Sequence, residues 1–301
     1  MIGHQDVGTN TNDLVIKKYE KRSLWGEAFH RLRKNKGAIA GFAIFAVIIL
    51  CFLYGLFFIN YDMATKNLPL DRLLKPSLQY PFGTDNLGRN LFYRVLYGAR
   101  YSLAIGFGGS IIAASIGITL GSIAGYYGGI RESLVMRFTE ILLSVPGLLL
   151  GMVIMSALGS SLGNLILCVG VTSIPVYIRM SRASILSVKN LEYVEAAHAI
   201  GFSTPRIIFS EILPNAMSPL IVSFSMNIGL MVMTSAGLSF LGFGITPPQP
   251  EWGTLIAGSR QYMRTSSYLL TAPGVFIMAT VLAFNMIGDG LRDALDPKLK
   301  R

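Results

Sequence analysis

Long uninterrupted hydrophobic runs constrain this chain more than any other feature. A hydrocarbon layer about 30 Å thick is crossed by about 20 residues of apolar helix, and several runs, beginning with residues 38–59, reach that length. Charged residues make up only 14% of the chain, whereas roughly a quarter of a soluble domain is charged. The sequence therefore predicts an all-α integral membrane protein.

The segment before the first run predicts a helix lying on the membrane surface. Residues 1–22 are polar and without hydrophobic periodicity, which predicts a disordered tail. Residues 23–36 then place five apolar side chains on one helical face, followed by basic residues. These five are Leu24, Trp25, Ala28, Phe29 and Leu32. A cleaved signal peptide is the alternative, but the run that follows is too long and lacks a small-residue cleavage site.

Six spans are predicted from the hydrophobic runs. They lie at residues 38–59, 102–126, 134–158, 164–186, 218–240 and 268–287. Pro146 and Gly147 are expected to kink the third span and Pro175 to bend the fourth. The net charge of +10 lies in loops and tails, as membrane topology requires, and so indicates orientation rather than nucleic-acid binding.

The positive-inside rule assigns both termini to the cytoplasm. It divides the chain into five segments. Residues 1–37 are a cytoplasmic tail with the interfacial helix, 38–59 the first span and 60–101 an extracytoplasmic segment. Residues 102–288 are a core of five helices, and 289–301 are a cytoplasmic C-terminal tail.

The second span carries small residues at every fourth position, and this spacing keeps them on one face. They are Gly109, Ala113, Gly117, Gly121 and Gly125. Small side chains let two helices in lipid approach nearly backbone to backbone. We expect this stripe to serve helix packing.

The extracytoplasmic segment is patterned and polar around PFGTDNLGRNLFYRVLYGARYSL. Thr84 or Asp85 is expected to cap a helix that begins near Asn86. The candidate contacts with an extracytoplasmic partner are Asp85, Arg89, Arg94 and, in the last outside loop, Trp252. Local ion pairs are the alternative role for the charged members.

Residues 190–215 form the most distinctive loop, which basic flanking residues place in the cytoplasm. Apolar residues spaced three to four apart predict a short helix that Gly201 ends. Ser203 or Thr204 can cap a second helix with Pro205 in its first turn, and Pro214 is expected to stop it. Two short helices joined at a glycine corner could dock into a groove of another protein. A solvated loop is the alternative.

Glu195, Ala196 and Ala197, followed by Gly201 and then by Leu213 and Pro214, resemble the EAA loop of permease subunits of ATP-binding cassette importers. Glu211 stands where that pattern usually has isoleucine. The stretches LSFLGFGITPPQPEWG and AFNMIGDGLRDALDPKLK, with the outside segment, resemble C-type permeases of the dipeptide, oligopeptide and nickel branch. The likeness extends from about residue 25 to the end.

This resemblance implies a six-helix transmembrane domain of a type I importer in a prokaryotic cytoplasmic membrane. It implies four protein partners in the lipid bilayer's vicinity: a homologous B-type permease, two ATP-binding subunits that hold ATP and Mg, and an extracytoplasmic substrate-binding protein. The lipid bilayer surrounds the membrane subunits. Glu195 would make a charged contact with an ATPase, Ile200 and Phe202 would seat in it, and Gly201 would form the corner.

Catalytic chemistry is not expected in this chain. No lysine follows a glycine, so no phosphate-binding P-loop is present. The three histidines form no metal or catalytic set, and Cys51 and Cys168 lie inside apolar runs as packing residues. We therefore predict a transport subunit without an ATPase site, cofactor or metal of its own.

The predicted function is translocation of dipeptides or oligopeptides, with a nickel or other small-solute permease of the same branch as the alternative. A secondary carrier would place ionisable groups mid-membrane or show inverted halves. The spans hold amides such as Asn227 and Asn285 instead. A membrane-embedded enzyme is the third hypothesis, but the sequence shows no set of catalytic residues that would support it.

Overall fold

The computed structural model describes residues 24–295, and the predicted tail at 1–22 and the tip of the C-terminal tail lie outside them. The longer helices are α1 Leu24–Leu32, α2 Lys36–Phe57, α3 Tyr61–Thr65, α4 Leu91–Tyr127, α5 Gly129–Leu143, α6 Gly147–Leu158, α7 Leu162–Val188, α8 Glu192–Ala199, α9 Met217–Phe240, α10 Trp252–Ser259 and α11 Tyr268–Leu295. Within the described range the remaining pairing is a single antiparallel bridge between Thr84 and Asn90. The all-α prediction is confirmed.

Five of these helices, α2, α4, α7, α9 and α11, are long and apolar enough to cross a membrane. The pair α5 and α6 meets the same test when taken together and bends by 87° at its break. Pro146 lies in that break and disfavours helical geometry at the residue before it, so α5 ends at Leu143 and α6 begins at Gly147. The expected kink is a sharp corner, and counting the pair as one span gives six.

Helix α4 runs without interruption from Leu91 to Tyr127, so the helix predicted to begin near Asn86 and the second predicted span are one continuous helix. Its cap also differs from the prediction: the Asn90 side chain accepts a hydrogen bond from the Phe92 amide. Asp85 instead closes a turn by accepting from the amides of Leu87 and Arg89. The helix therefore begins where Asn90 caps it and not at Asp85. The hydrophobic pattern does not indicate which of the two residues acts as the cap.

Helices α4 and α7 form the centre of the bundle. The small-residue stripe of α4 faces α7: a methyl group on Gly121 would lie 2.5 Å from the Ile178 carbonyl oxygen, and one on Gly125 would lie 2.9 Å from that of Arg182. Ala113 on the same stripe is fully buried. The two backbones are therefore in direct contact over several turns.

Helices α2, α9 and α11 pack around this pair. Buried side chains of α2, α4 and α9, among them Ile48, Val95 and Val232, form one core with Trp252 of α10. Only 17% of the most hydrophobic stretch of α2 is buried, compared with 50% for α9. Helix α2 is therefore peripheral, and most of its apolar surface is left for lipid.

Helix α1 reaches back to the end of α11. Leu32 lies beside Gly290, and the Asn35 side chain donates to the Asp293 carboxylate at 2.9 Å. Of the apolar face predicted for α1, the described side chains are Phe29, which is exposed, and Leu32. Those of Leu24, Trp25 and Ala28 lie outside the described part.

One further difference concerns the end of a predicted span. The sixth span was expected to end at residue 287, but α11 continues to Leu295. The loop between α9 and α11 contains the short helix α10, which Glu251 caps by accepting from the amides of Gly253 and Thr254.

Candidate functional site

The loop at residues 190–215 folds as a compact knob at one end of the bundle. Its first half is α8, whose inner face buries Val194 and Ala197. These two pack with Ile185 of α7 and with Ile207 and Ile212 of the second half of the loop. The knob thus has a small apolar core of its own that is continuous with a span.

Gly201 makes the corner between the two halves. Its amide donates to the His198 carbonyl at 3.0 Å, and the Phe202 amide donates to the Ala197 carbonyl at 3.1 Å. This pair of bonds is a Schellman motif, which ends a helix with a residue in the left-handed region. Gly201 has a φ of 87°, a conformation that residues with a Cβ atom rarely adopt.

The second half begins at Ser203, as predicted, with Pro205 in the first turn. The Ser203 side chain makes no capping hydrogen bond, however. A π-helical turn, Ile207–Ile212, follows and then the α-helical residues Leu213–Asn215. The Leu213 amide bonds five residues back, to the Ile208 carbonyl.

The expectation that Pro214 stops this helix is therefore wrong. Proline lacks an amide hydrogen and crowds the preceding turn, and a π-helical turn directly precedes it here. Helical structure continues to Asn215 and resumes at Met217 as α9. The knob is thereby joined almost without a break to a membrane-spanning helix.

Polar contacts fix the knob to the ends of α4 and α7. The Tyr126 hydroxyl and the His198 Nε2 atom lie 2.9 Å apart, with the two rings stacked. Lys189, which follows α7, donates to the Gly125 carbonyl at 3.1 Å. His198 is exposed, yet it ties the knob to α4.

The outer face of the knob is exposed and mixed in character. Glu195, Ala196, Gly201 and Pro214 are exposed, and so is Ile200, with 73% of its surface accessible. Phe202 and Leu213 are half-buried. Seven of the eight predicted coupling residues thus keep accessible surface, and only Ala197 is buried.

Two aromatic side chains of the knob, Phe202 and Tyr193, have charged or polar neighbours. The Arg206 guanidinium lies over the Phe202 ring, 3.9 Å from its centre. Burial raises the pKa of the Tyr193 phenol, and the nearby Glu211 carboxylate also raises it, against a lowering hydrogen bond with Asn215. Tyr193 is therefore a neutral hydroxyl at physiological pH.

The candidate contacts at the opposite end lie mostly inside the chain. Asp85 and Arg94 are 6% and 3% exposed, and Trp252 is fully buried. Asp85 forms an ion pair with Arg89 at 2.6 Å, which is the local role considered as the alternative. The burial leaves Asp85, Arg94 and Trp252 almost no surface for a partner, so their assignment as direct partner contacts does not fit the structure.

Sequence reasoning missed Glu251, which is completely buried beside Trp252. Its carboxylate accepts from the hydroxyls of Ser102 in α4 and Ser239 in α9, as well as from two amides of α10. It thus links three helices without a cation. Its position one residue before a helix is a capping signal, but the two serines are distant in sequence.

The site offers a contact surface. Across residues 24–295 no group of three or more His, Cys, Asp or Glu side chains could hold a metal ion. What the arrangement provides is an exposed knob whose core is continuous with α7 and whose end joins α9.

Comparison with solved structures shows that this fold is a known one. Two crystal forms of the inward-facing MetNI methionine ABC transporter match with TM-scores of 0.55 and 0.54, at 20% sequence identity. The first match covers 68% of this chain and 97% of the other. This chain therefore shares its fold with a chain of that transporter.

The chain belongs to the family of binding-protein-dependent transport system inner membrane components, whose model matches residues 117–301. Residues 23–76 match the N-terminal transmembrane domain of oligopeptide transport permease C. The resemblance read from the loop and the flanking stretches is thereby confirmed, and the chain is a multi-pass membrane permease.

Curated relatives match over nearly the whole chain. The dipeptide transport system permease protein DppC of Alkalihalophilus pseudofirmus is 42% identical over 94% of this chain and 93% of its own length. The glutathione transport system permease protein GsiD of Pectobacterium atrosepticum is 40% identical, with 95% of each chain covered. The di/tripeptide permease DppC of Pseudomonas aeruginosa is 39% identical over 91% of this chain and 92% of its own.

Proposed function

We propose that this chain is moved by a separate ATPase through the knob at residues 190–215 and carries short peptides across the membrane. The observation that carries this proposal is the exposure of Glu195, Ile200 and Gly201 on the knob. An apolar side chain left 73% accessible suits seating in a partner's groove.

The connections of the knob support a mechanical role. Val194 and Ala197 pack on Ile185 of α7, while His198 holds Tyr126 at the end of α4. A force on the knob would therefore reach α4, α7 and α9 together. Since α4 and α7 are in backbone contact, they would shift as one body, which fits a rigid change between inward-open and outward-open states.

The partners proposed are those implied by the absence of a P-loop and by the family. Two ATP-binding subunits would hold ATP and Mg and contact Glu195, Ala196, Ile200, Phe202, Leu213 and Pro214. A homologous B-type permease would complete the pathway, and an extracytoplasmic binding protein would deliver substrate. The knob and both termini would then be cytoplasmic, consistent with the basic residues that flank it.

Short peptides are the substrate class we propose. The relatives reported above are named for dipeptides, di/tripeptides and glutathione, and all of these substrates are short peptides. These names favour peptides over nickel chelates, the alternative of the same branch. The identities of 42% and 40% are too close to choose between dipeptide and glutathione.

The test uses two glycines with the same backbone strain at opposite ends of the bundle. Gly201 has a φ of 87° and Gly242 a φ of 93°, and a Cβ atom on either would meet nothing within 4 Å. Valine is strained at positive φ, so both Gly201→Val and Gly242→Val disturb a local turn. Only the first alters the proposed coupling surface.

We expect Gly201→Val to lower ATP-dependent peptide uptake by about 10-fold or more, equivalent to about 1.4 kcal/mol of lost coupling. Gly242→Val should keep uptake near the level of the unmodified chain. Both variants must be present in the membrane in equal amounts. Undiminished uptake by Gly201→Val, or equal loss in both variants, would contradict the role given to the knob.

A further inference from the structure

A small cavity lies at the end of the bundle opposite the knob, between the turn that precedes α4 and the helix α10. Its volume is about 60 Å³, and its wall includes Arg89, Arg94, Thr254, Gly258 and Ser259. A space of this size exceeds the 10–15 Å³ needed for one water. It can hold a few waters or one small ion.

The charges around this cavity do not balance. Asp85 is the one carboxylate among the residues that line it, and it faces the two guanidiniums of Arg89 and Arg94. The Arg89 Nε atom donates to Asp85 Oδ2 at 2.6 Å. The Arg94 Nε atom lies 3.6 Å from the same oxygen, which is too far for a hydrogen bond. One positive charge is left in excess.

Arg94 is the group that points to a ligand. It is only 3% exposed, and its Nη1 atom donates to the Ala64 carbonyl at 3.0 Å. Its Nε atom is buried and has no hydrogen-bond partner in the part of the chain that is described. A buried charge is costly unless it is paired and hydrogen-bonded. An anion in the cavity would reduce that cost.

Ser259 adds a second donor on the same wall. It is 7% exposed, and its hydroxyl is a hydrogen-bond donor among the residues that line the cavity. Two hydrogen-bond donors beside an excess positive charge in a space of this size suit a small anion.

We propose that this cavity binds one small monovalent anion, either a halide or a carboxylate group. The ligand lies between the turn that holds Asp85 and helix α10, and so it fastens the two together. Its removal leaves Asp85 as the one carboxylate facing both Arg89 and Arg94, and so lowers the stability of this end of the chain. The site is separate from the knob, and its existence does not depend on the coupling role proposed above.

The test compares thermal unfolding of the purified full-length chain in chloride, acetate and gluconate at one ionic strength and pH. Gluconate is too large for the cavity. We expect the unfolding midpoint to be about 2–4 °C higher in the anion that binds than in gluconate. A rise in chloride alone identifies a halide site, and a rise in acetate identifies a carboxylate site.

A large side chain in place of Gly258 would fill the cavity. A Cβ atom at Gly258 meets nothing within 4 Å, and the same is true of Gly163 at the start of α7. Gly258→Leu should abolish the difference between anions, whereas Gly163→Leu, the matched control, should keep it. Ser259→Ala removes only a hydroxyl and should reduce the difference between anions. Because this change is small, it tests the site even if Gly258→Leu fails to fold.

Equal midpoints of the unmodified chain in all three anions would overturn the proposal. So would an anion dependence that persists undiminished in Gly258→Leu, because the ion would then bind elsewhere.

Discussion

Val194 and Ile200 show how differently two apolar residues of one short segment are used. Val194 is 1% exposed and lies in the core of the knob, whereas Ile200 is 73% exposed on its outer face. The first stabilises the knob within this chain. The second contributes little to stability, and under the proposed function its apolar surface is covered only when a partner docks.

Serine substitutions separate these two roles. Ile200→Ser should leave the unfolding midpoint nearly unchanged, because exposed substitutions alter stability by at most about 0.5 kcal/mol. It should nevertheless lower peptide uptake several-fold. Val194→Ser should lower the midpoint itself, since truncating a buried aliphatic side chain costs about 1–3 kcal/mol.

Both variants are measured in the same detergent and the same membrane vesicles, with uptake divided by the amount of chain present. An Ile200→Ser chain that unfolds as early as the Val194→Ser chain would show that Ile200 is structural. An Ile200→Ser chain with full uptake would remove Ile200 from the coupling surface.

For single residues, the sequence showed which side chains are apolar but did not predict which of them are buried. The helical spacing grouped Leu191, Val194, Ala197 and Ile200 on one face. Only Val194 and Ala197 are buried, because α8 spans only Glu192–Ala199 and so does not include Leu191 or Ile200. The burial of Trp252, whose indole donates to the Val95 carbonyl, depended on neighbours far away in the chain, which no local pattern reports.

Helices were predicted better than their boundaries. The runs that exceed about 20 apolar residues could be assigned because lipid leaves the backbone no alternative to helix. The beginning of α4 and the course of the loop past Pro214 could not, since a competing cap and a π-helical turn decided them. The kink at Pro146 was predicted, but its angle of 87° was not.

Contact between α4 and α7 gives a prediction about elements. Alanine at Gly121 would place a methyl group 2.5 Å from the Ile178 carbonyl oxygen, so the two helices must separate. We expect Gly121→Ala to destabilise the chain by about 1–3 kcal/mol. The measurement is the unfolding midpoint in detergent.

Gly274 of α11 supplies the control, because a methyl group there meets nothing within 4 Å. Gly274→Ala should be neutral or slightly stabilising, by up to about 1 kcal/mol, since alanine favours helix over glycine. Equal stability of both variants would mean that the backbones of α4 and α7 are not in contact.

The whole molecule has two ends with different chemistry. One end presents the exposed knob, with Ala196 on its outer face, and the other presents the turn and small helices near the fully exposed Leu78. Helix α4 runs between these ends, from Leu91 to Tyr127, a distance of about 54 Å at 1.5 Å per residue. Under the proposed function, the ATP-binding subunits contact only the first end.

The most direct test of this claim is cysteine cross-linking in the assembled transporter, in a chain whose Cys51 and Cys168 have been replaced by serine. Cysteine is placed at Ala196 in one variant and at Leu78 in the other, and the cross-linked products are identified by mass. We predict that Ala196→Cys cross-links to an ATP-binding subunit and that Leu78→Cys does not. A cross-link to that subunit from Leu78→Cys, with none from Ala196→Cys, would contradict the account.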